Sequence, residues 1–238
     1  MPPAEPAILE ARELAKRFGA SPVLRGLDLS IAPGQILLVL GENGSGKTTL
    51  LRILAGLLRP TSGHVSLDGT PFQASDVRSR HLVGFLSHRS HLYDELSVRE
   101  NLVFAARLFG LENPEEIAGR AIAGASLEDK GDERVGRLSR GMQQRAALAR
   151  ASIHAPRVLL LDEPFTALDS PSADRVRHWI AERSAEGGAI VIVTHQPGTM
   201  WDLATHVGVL AGGRWAILEP KPGALDPFQL RYREAIRV

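Results

Sequence analysis

Between the apolar run Ile36 to Leu40 and a helical pattern that starts near Lys47, the chain reads Gly41-Glu42-Asn43-Gly44-Ser45-Gly46-Lys47-Thr48-Thr49. A strand, a glycine-rich turn and a helix in this order make one βα unit, which commits the chain to an α/β fold. Gly41, Gly44 and Gly46 lack a Cβ, so the backbone can take positive φ values and turn successive N–H groups inward. The start of the helix adds partial positive charge at the same place. Such a turn is a cradle for anionic phosphates. Lys47 supplies a point charge for the β and γ phosphates of a nucleotide, and the Thr48 hydroxyl is placed to ligate Mg²⁺, in agreement with the pattern G-x-x-x-x-G-K-[ST].

The chain around this turn has 238 residues, 44% of them apolar, enough to bury the core of one α/β domain with a subdomain inserted. Its apolar runs are strand-length, far short of the ~20 residues that span a bilayer, so a membrane role requires another chain. The start, Met1-Pro2-Pro3-Ala4-Glu5-Pro6, has no basic stretch followed by an apolar one, which predicts neither a secretory signal nor an anchor and places the protein in the cytosol. The absence of cysteine excludes thiolate metal sites, iron–sulfur clusters and a thiol nucleophile. A net charge of +1 gives no electrostatic case for nucleic acid as a partner.

From Ile8 to Gly69 the pattern is mostly strand. Leu27, Leu29 and Ile31 alternate with polar residues, as do Val65 and Leu67, which predicts half-exposed antiparallel strands near the amino terminus. Ser97 followed by Glu100 is a capping box for a helix carrying Val98, Leu102, Ala105, Ala106 and Phe109 on one face and ending at Gly110. Asn113-Pro114-Glu115-Glu116 predicts another helix, with Asn113 as its cap. Residues 89–150 thus read as a helical insertion within a single domain of residues 1–238. Continuous β-prone runs return at Val158 to Leu161 and Ala189 to Val193, as expected of parallel strands buried on both faces, with a crossover helix around Val176, Trp179 and Ile180. No internal repeat is present, and the Pro-rich first residues are expected to be loose.

The first of those runs ends in Asp162-Glu163-Pro164, two carboxylates at the edge where a parallel sheet binds its ligands. Asp162 is expected to hold Mg²⁺ through water, and Glu163 to polarise the water that attacks the γ-phosphate. With the glycine cradle and the acidic pair in place, the chain resembles the ATP-binding-cassette (ABC) ATPases over almost its whole length. Leu138-Ser139-Arg140-Gly141-Met142-Gln143-Gln144-Arg145 matches the family's diagnostic motif. Arg140 stands where glycine is commoner and Met142 where glutamine is commoner.

The resemblance implies a P-loop NTPase fold with a RecA-like core, an amino-terminal antiparallel β subdomain and an inserted α-helical subdomain. It implies ATP and Mg²⁺ as ligands, with Gly41, Asn43, Gly44, Ser45, Gly46, Lys47, Thr48 and Thr49 around the phosphates. It further implies a second copy of the chain, whose ATP is met by Ser139 and Gly141 at a helix start. His195 corresponds to the switch histidine that contacts the γ-phosphate, Asp169 in Ala167-Leu168-Asp169 to the loop crossing the dimer interface, and Phe18 to the aromatic residue against adenine. His88, in Val83-Gly84-Phe85-Leu86-Ser87-His88, stands where most members have glutamine near Mg²⁺. Imidazole is a poor ligand for so hard a cation, so His88 is expected to act through water or as a coupling element.

The segment from His88 to Leu102 is similar to the haem-exporter ATPase subunits of cytochrome c maturation, which implies a separate integral membrane subunit and a place on the inner face of the cell membrane. No haem-ligand pair is evident. An exporter ATPase for a drug, polysaccharide or lipid would carry the same catalytic residues. A soluble mechanical ATPase would need a long coiled coil or two cassettes, and a dead binding module would lack some of Lys47, Thr48, Asp162, Glu163 and His195.

Overall fold

Three apolar runs form the centre of the molecule. In the computed structural model, which describes residues 6–72, 77–87, 90–166 and 168–236, Ile36–Leu40 is strand β3, Val158–Asp162 is β7 and Ala189–Val193 is β8. They pair in parallel, β3 with β8 and β8 with β7. The sheet is completed by β6 (Val83–Leu86), β9 (His206–Ala211) and β10 (Arg214–Pro220), in the order β10-β9-β3-β8-β7-β6. Only β10 runs antiparallel to its neighbour.

Side-chain alternation along these strands feeds two separate cores. Leu37, Val39, Val158, Leu160, Val191 and Val193 pack on one face with the smaller, antiparallel sheet and the first helix, α1 (Lys47–Leu54). Ile36, Leu38, Leu159, Leu161, Ile190 and Ile192 pack on the other with α5 (Arg140–Ser152) and α6 (Ser170–Ala185). The smaller sheet has the order β2-β1-β4-β5, from β1 (Leu9–Phe18), β2 (Ser21–Ile31), β4 (Ser62–Leu67) and β5 (Thr70–Pro71). Leu27, Leu29, Ile31, Val65 and Leu67 are all buried, on the strands their alternation predicts.

After β6, which follows the short helix α2 (Val77–His81), the chain leaves the sheet for a helical segment: α3 (Val98–Leu108), α4 (Pro114–Gly124), two 3₁₀ turns and α5. It has its own core, including Val98, Leu102, Ala106, Ile122, Val135 and Ala146. The start of α3 is the capping box read from sequence: Ser97 Oγ accepts from the Glu100 amide at 3.1 Å, and Glu100 accepts from the Ser97 amide at 2.7 Å. The α4 start differs from expectation. Asn113 is in the left-handed region (φ 53°), so its side chain is not placed to accept from the amides of the first turn as an extended cap residue would, and it makes no capping bond.

The chain closes with α7 (Leu225–Ala235), packed on β9 and Trp201. No helix among the described residues is long and apolar enough to cross a membrane.

Candidate nucleotide site

The turn after β3 is shaped by contacts that only glycine permits. A Cβ on Gly41 would lie 2.4 Å from the Leu210 carbonyl oxygen, and one on Gly46, at φ 108°, would lie 2.7 Å from Leu24 Cδ2. The loop is therefore pressed against β9 on one side and β2 on the other. Lys47, 7% exposed, starts α1 and folds its ammonium back to donate to the carbonyls of Gly41 and Glu42, both at 2.8 Å. Burial lowers its pKa, opposed by Glu163 and then Asp162. Ser45 Oγ is buried without a hydrogen-bond partner. A cation and an unsatisfied hydroxyl in one glycine-lined bend make a receptor for anionic oxygens.

A cleft of about 410 Å³ opens over this bend. Asn43, Gly44, Gly46, Lys47, Thr48 and Thr49 line one side, and Asp162, Glu163 and His195 the other. The Thr48 hydroxyl donates to Asp162 Oδ2 at 3.1 Å, joining α1 to the end of β7. Asp162 is 4% exposed. This pair of hard oxygen donors suits Mg²⁺, which takes one or two protein oxygens and completes its shell with phosphates and water.

Glu163 departs from the strand: its φ is 53°, a strained value for a residue with a Cβ. Its amide still donates to the Val193 carbonyl at 2.9 Å, and its Oε2 accepts from the His195 amide at 3.3 Å. Glu163 Oε1 lies 3.0 Å from His195 Nε2, at ion-pair distance but without hydrogen-bond alignment. Burial raises the Glu163 pKa, and Asp162 adds to the effect, while His195 and Lys47 oppose it. A carboxylate pushed toward neutrality is a stronger base when ionised, which suits proton abstraction from water.

Phe18, Ser139, Gly141 and Asp169 do not line this cleft. Phe18, at the end of β1, is 51% exposed, with Lys16 Nζ over one face of its ring at 5.1 Å from the centroid, so the ring stands at the surface instead of packing in the core. Ser139 caps α5, accepting from the Met142 amide at 3.3 Å. Asp169 caps α6, accepting from the Ser172 amide at 3.1 Å, and this bonding lowers its pKa. These two helix starts meet: a Cβ on Gly141 would lie 3.3 Å from Ser172 Oγ and 3.6 Å from Leu168 Cδ2. Ser139, Gly141 and Asp169 are thus grouped together, and none of them lines the cleft over the phosphate bend. His88 and Ala167 lie outside the described residues.

Two contributors were not legible from motif spacing, and neither was the contact made by a third residue. Val23 of β2 and Val193 of β8 line the cleft. Gln144 Nε2 donates to the Pro164 carbonyl at 3.1 Å, tying the signature helix to the turn after the acidic pair. Gln144 was visible only as a member of the signature motif.

The chain is similar to known proteins in both sequence and fold. The ABC transporter family matches residues 24–166, more than half of the chain. A cytochrome c biogenesis ATP-binding export protein, CcmA 2, of Cupriavidus metallidurans is 40% identical over 206 residues, covering 85% of this chain and 98% of the relative. A Nod factor export ATP-binding protein I of Burkholderia orbicola is 40% identical over 228 residues, covering 92% and 72%. Among solved structures, the ATP-binding subunit of an ABC transporter superposes with a TM-score of 0.86 at 24% identity, over 95% of this chain and 99% of the other. A dimeric ATP-binding cassette in a post-hydrolysis state, bound to ADP and Pi, superposes with a TM-score of 0.81 at 26% identity, over 91% and 100%. The chain belongs to the ABC transporter family, as one of its ATP-binding subunits.

Proposed function

We propose that two copies of this chain close over two ATP molecules and drive a separate integral membrane subunit in haem export for cytochrome c biogenesis. The observation that carries the cargo assignment is the 40% identity to CcmA 2 across 98% of that relative's length. It is joined by the similarity of the His88 to Leu102 segment to haem-exporter ATPases. The phosphate bend receives the triphosphate, and Lys47 exchanges its two carbonyl partners for phosphate oxygens. Thr48 and, through water, Asp162 would hold Mg²⁺, which when bound would neutralise charge on the phosphates. Glu163 takes the proton of the attacking water, with His195 beside it to donate to the γ-phosphate.

Ser139 and Gly141 have no phosphate of their own to meet. Their group with Asp169 therefore faces the nucleotide of the second copy, where the start of α5 presents N–H groups to an anion. The membrane subunit docks on the helical segment, where Tyr93 and Phe104 stack edge to face at 5.5 Å yet remain 56% and 42% exposed, next to Leu108 at 70%. With no membrane-crossing helix of its own among the described residues, the chain then sits on the inner face of the membrane.

A second reading, export of a different cargo, is favoured by the Nod factor relative, which covers 92% of this chain against 85% for CcmA 2. The test is to purify the chain from its native membrane with its integral partner and measure ATP turnover with and without haem. Haem-stimulated turnover supports the first reading. Turnover indifferent to haem, with a partner that responds to another exported compound, supports the second.

A further inference from the structure

The carboxy-terminal helix has no role in the chemistry above, yet it touches the nucleotide site from behind at two places. Leu40, the residue from which the glycine turn leaves β3, is 3% exposed and shares a small core with Val207, Val209, Trp201 and Phe228. Phe228, on α7, is 1% exposed, and its ring centroid lies 4.9 Å from that of Trp201. Trp201 follows the 3₁₀ turn Pro197–Thr199 that leads on from His195. Trp201 in turn is held by the chain entering α7: its Nε1 donates to the Gly223 carbonyl at 3.0 Å, and Lys221 Nζ donates to its carbonyl at 3.0 Å.

One turn along α7, Tyr232 is partly buried, and its hydroxyl is held above its ordinary pKa by burial first and by the Glu42 carboxylate second. Ile236, which ends the helix, lines a cleft of about 290 Å³ together with Glu42, Asn43, Gly44 and Ser45 of the phosphate loop. The helix itself is pinned to β10 by a two-pronged pair, Arg231 with Glu219, at 2.7 and 3.0 Å. One rigid element therefore backs both the loop that receives phosphates and the segment that carries His195.

We propose that α7 is a positioning element of the nucleotide site, with Phe228 holding Leu40 and Trp201 in register so that nucleotide binding and the order of α7 are energetically coupled. The inference rests on the nucleotide reading given above. Coupling of this kind is reciprocal: if α7 favours the binding geometry of the loop, nucleotide must stabilise α7 by the same factor. A helix that merely covers apolar surface lowers global stability when it is weakened, but leaves the affinity of the folded fraction unchanged.

The experiment uses the full chain, with Mg·ADP affinity from calorimetry, steady-state kinetics with Mg·ATP, and amide hydrogen exchange. Phe228→Ala is expected to raise the Kd for Mg·ADP and the KM for Mg·ATP by about fivefold or more, with kcat within about twofold. Phe228→Leu recovers most of that loss. Ile122→Ala, which truncates a side chain in the separate core of the helical segment, lowers the melting temperature without moving either constant. In the wild-type chain, Mg·ADP slows exchange over residues 225–235 as well as over 41–49, a measurement that needs no variant to fold. Three results would overturn the inference: unchanged Kd in Phe228→Ala, an equal rise in Ile122→Ala, or exchange in α7 indifferent to nucleotide that protects 41–49. A wild-type chain that binds no Mg·ADP overturns the nucleotide reading itself, and this inference with it.

Discussion

Replacing Glu163 by Gln tests the assignment of the base with two independent readouts. The amide keeps the shape of the side chain and an oxygen to accept from the His195 amide, now at 3.3 Å, but it cannot take a proton from water. General-base catalysis contributes about 10²- to 10⁴-fold in rate, which at about 1.4 kcal/mol per decade is roughly 3 to 5 kcal/mol of barrier. Single-turnover hydrolysis of Mg·ATP should slow by that factor while equilibrium binding holds, and the nucleotide-bound dimer should live correspondingly longer in size-exclusion chromatography.

The second readout is stability against pH. Burial raises the folded-state pKa of Glu163 above its ordinary 4.5, so between the two values the folded chain holds a proton that the unfolded chain has lost. Folding stability therefore falls as pH climbs through that window, and the deficit persists above it. Glu163→Gln removes the deficit: without nucleotide it should melt higher than wild type at pH 7 and show no such advantage below about pH 4. Hydrolysis within a factor of about two of wild type would refute the base assignment. A stability gain equally large at pH 4 and pH 7 would refute the electrostatic argument.

Lys47→Ala should weaken Mg·ATP binding on the order of ten- to a hundredfold, the range that the loss of charge-assisted hydrogen bonds gives; calorimetry showing unchanged affinity would count against the cradle. Gly46→Ala places a Cβ 2.7 Å from Leu24 Cδ2 on a backbone at φ 108°, and should cost about 1–3 kcal/mol, read as a lower urea midpoint at unchanged slope; an unshifted midpoint would show that the loop relaxes freely. His154 stacks on Phe109 at 3.8 Å and meets the Val83 carbonyl through Nε2 at 3.1 Å, and burial, the largest cause, lowers its pKa from 6.5 to about 4. The unfolded chain thus takes up a proton there first as pH falls, so wild type should lose stability from pH 6.5 down to about 4. His154→Phe should flatten that slope, and an equally steep profile would place the acid sensitivity elsewhere.

Central strands and the first helix were legible because each carries a strong local signal. Ile36 to Leu40, Val158 to Leu161 and Ala189 to Val193 are apolar on both faces, and only a sheet covered on both sides accepts such runs. The Ser97–Glu100 box is a local hydrogen-bond pattern, and it forms as read. Asn113 fails as a cap because capping requires an extended backbone, and the choice of a left-handed conformation before Pro114 is made by the preceding turn, not by residue type. Strands β9 and β10 and helix α7 gave no comparable warning. Arg214 to Pro220 alternates in exposure, but its inward side chains include Trp215 and Ile217 among mixed residues, and α7 is preceded by Ala224, which offers no side-chain cap. Within the site, the cradle and acids were readable by type and spacing. The grouping of Ser139, Gly141 and Asp169 depends on how α5 meets α6, which no local pattern encodes.

The acidic pair poses the sharpest case of geometry hidden from sequence. Successive residues of an extended strand point to opposite faces, so Asp162 and Glu163 should not share a cleft, yet both line it. The left-handed conformation at Glu163, with its amide still bonded to Val193, turns its side chain onto the side of Asp162 without breaking the sheet at that point. Holding a residue with a Cβ there costs about 1–3 kcal/mol, and glycine would be freed of most of it while losing roughly 0.5–1 kcal/mol to chain entropy. Both Glu163→Gly and Glu163→Ala remove the base, the buried charge and the oxygen that accepts from the His195 amide, so the difference between them isolates the backbone term. The glycine variant should therefore show the higher urea midpoint, by up to about 2 kcal/mol in unfolding free energy. A midpoint below that of the alanine variant would mean that Glu163 sits in its turn unstrained, and that the convergence of the two acids costs the fold nothing.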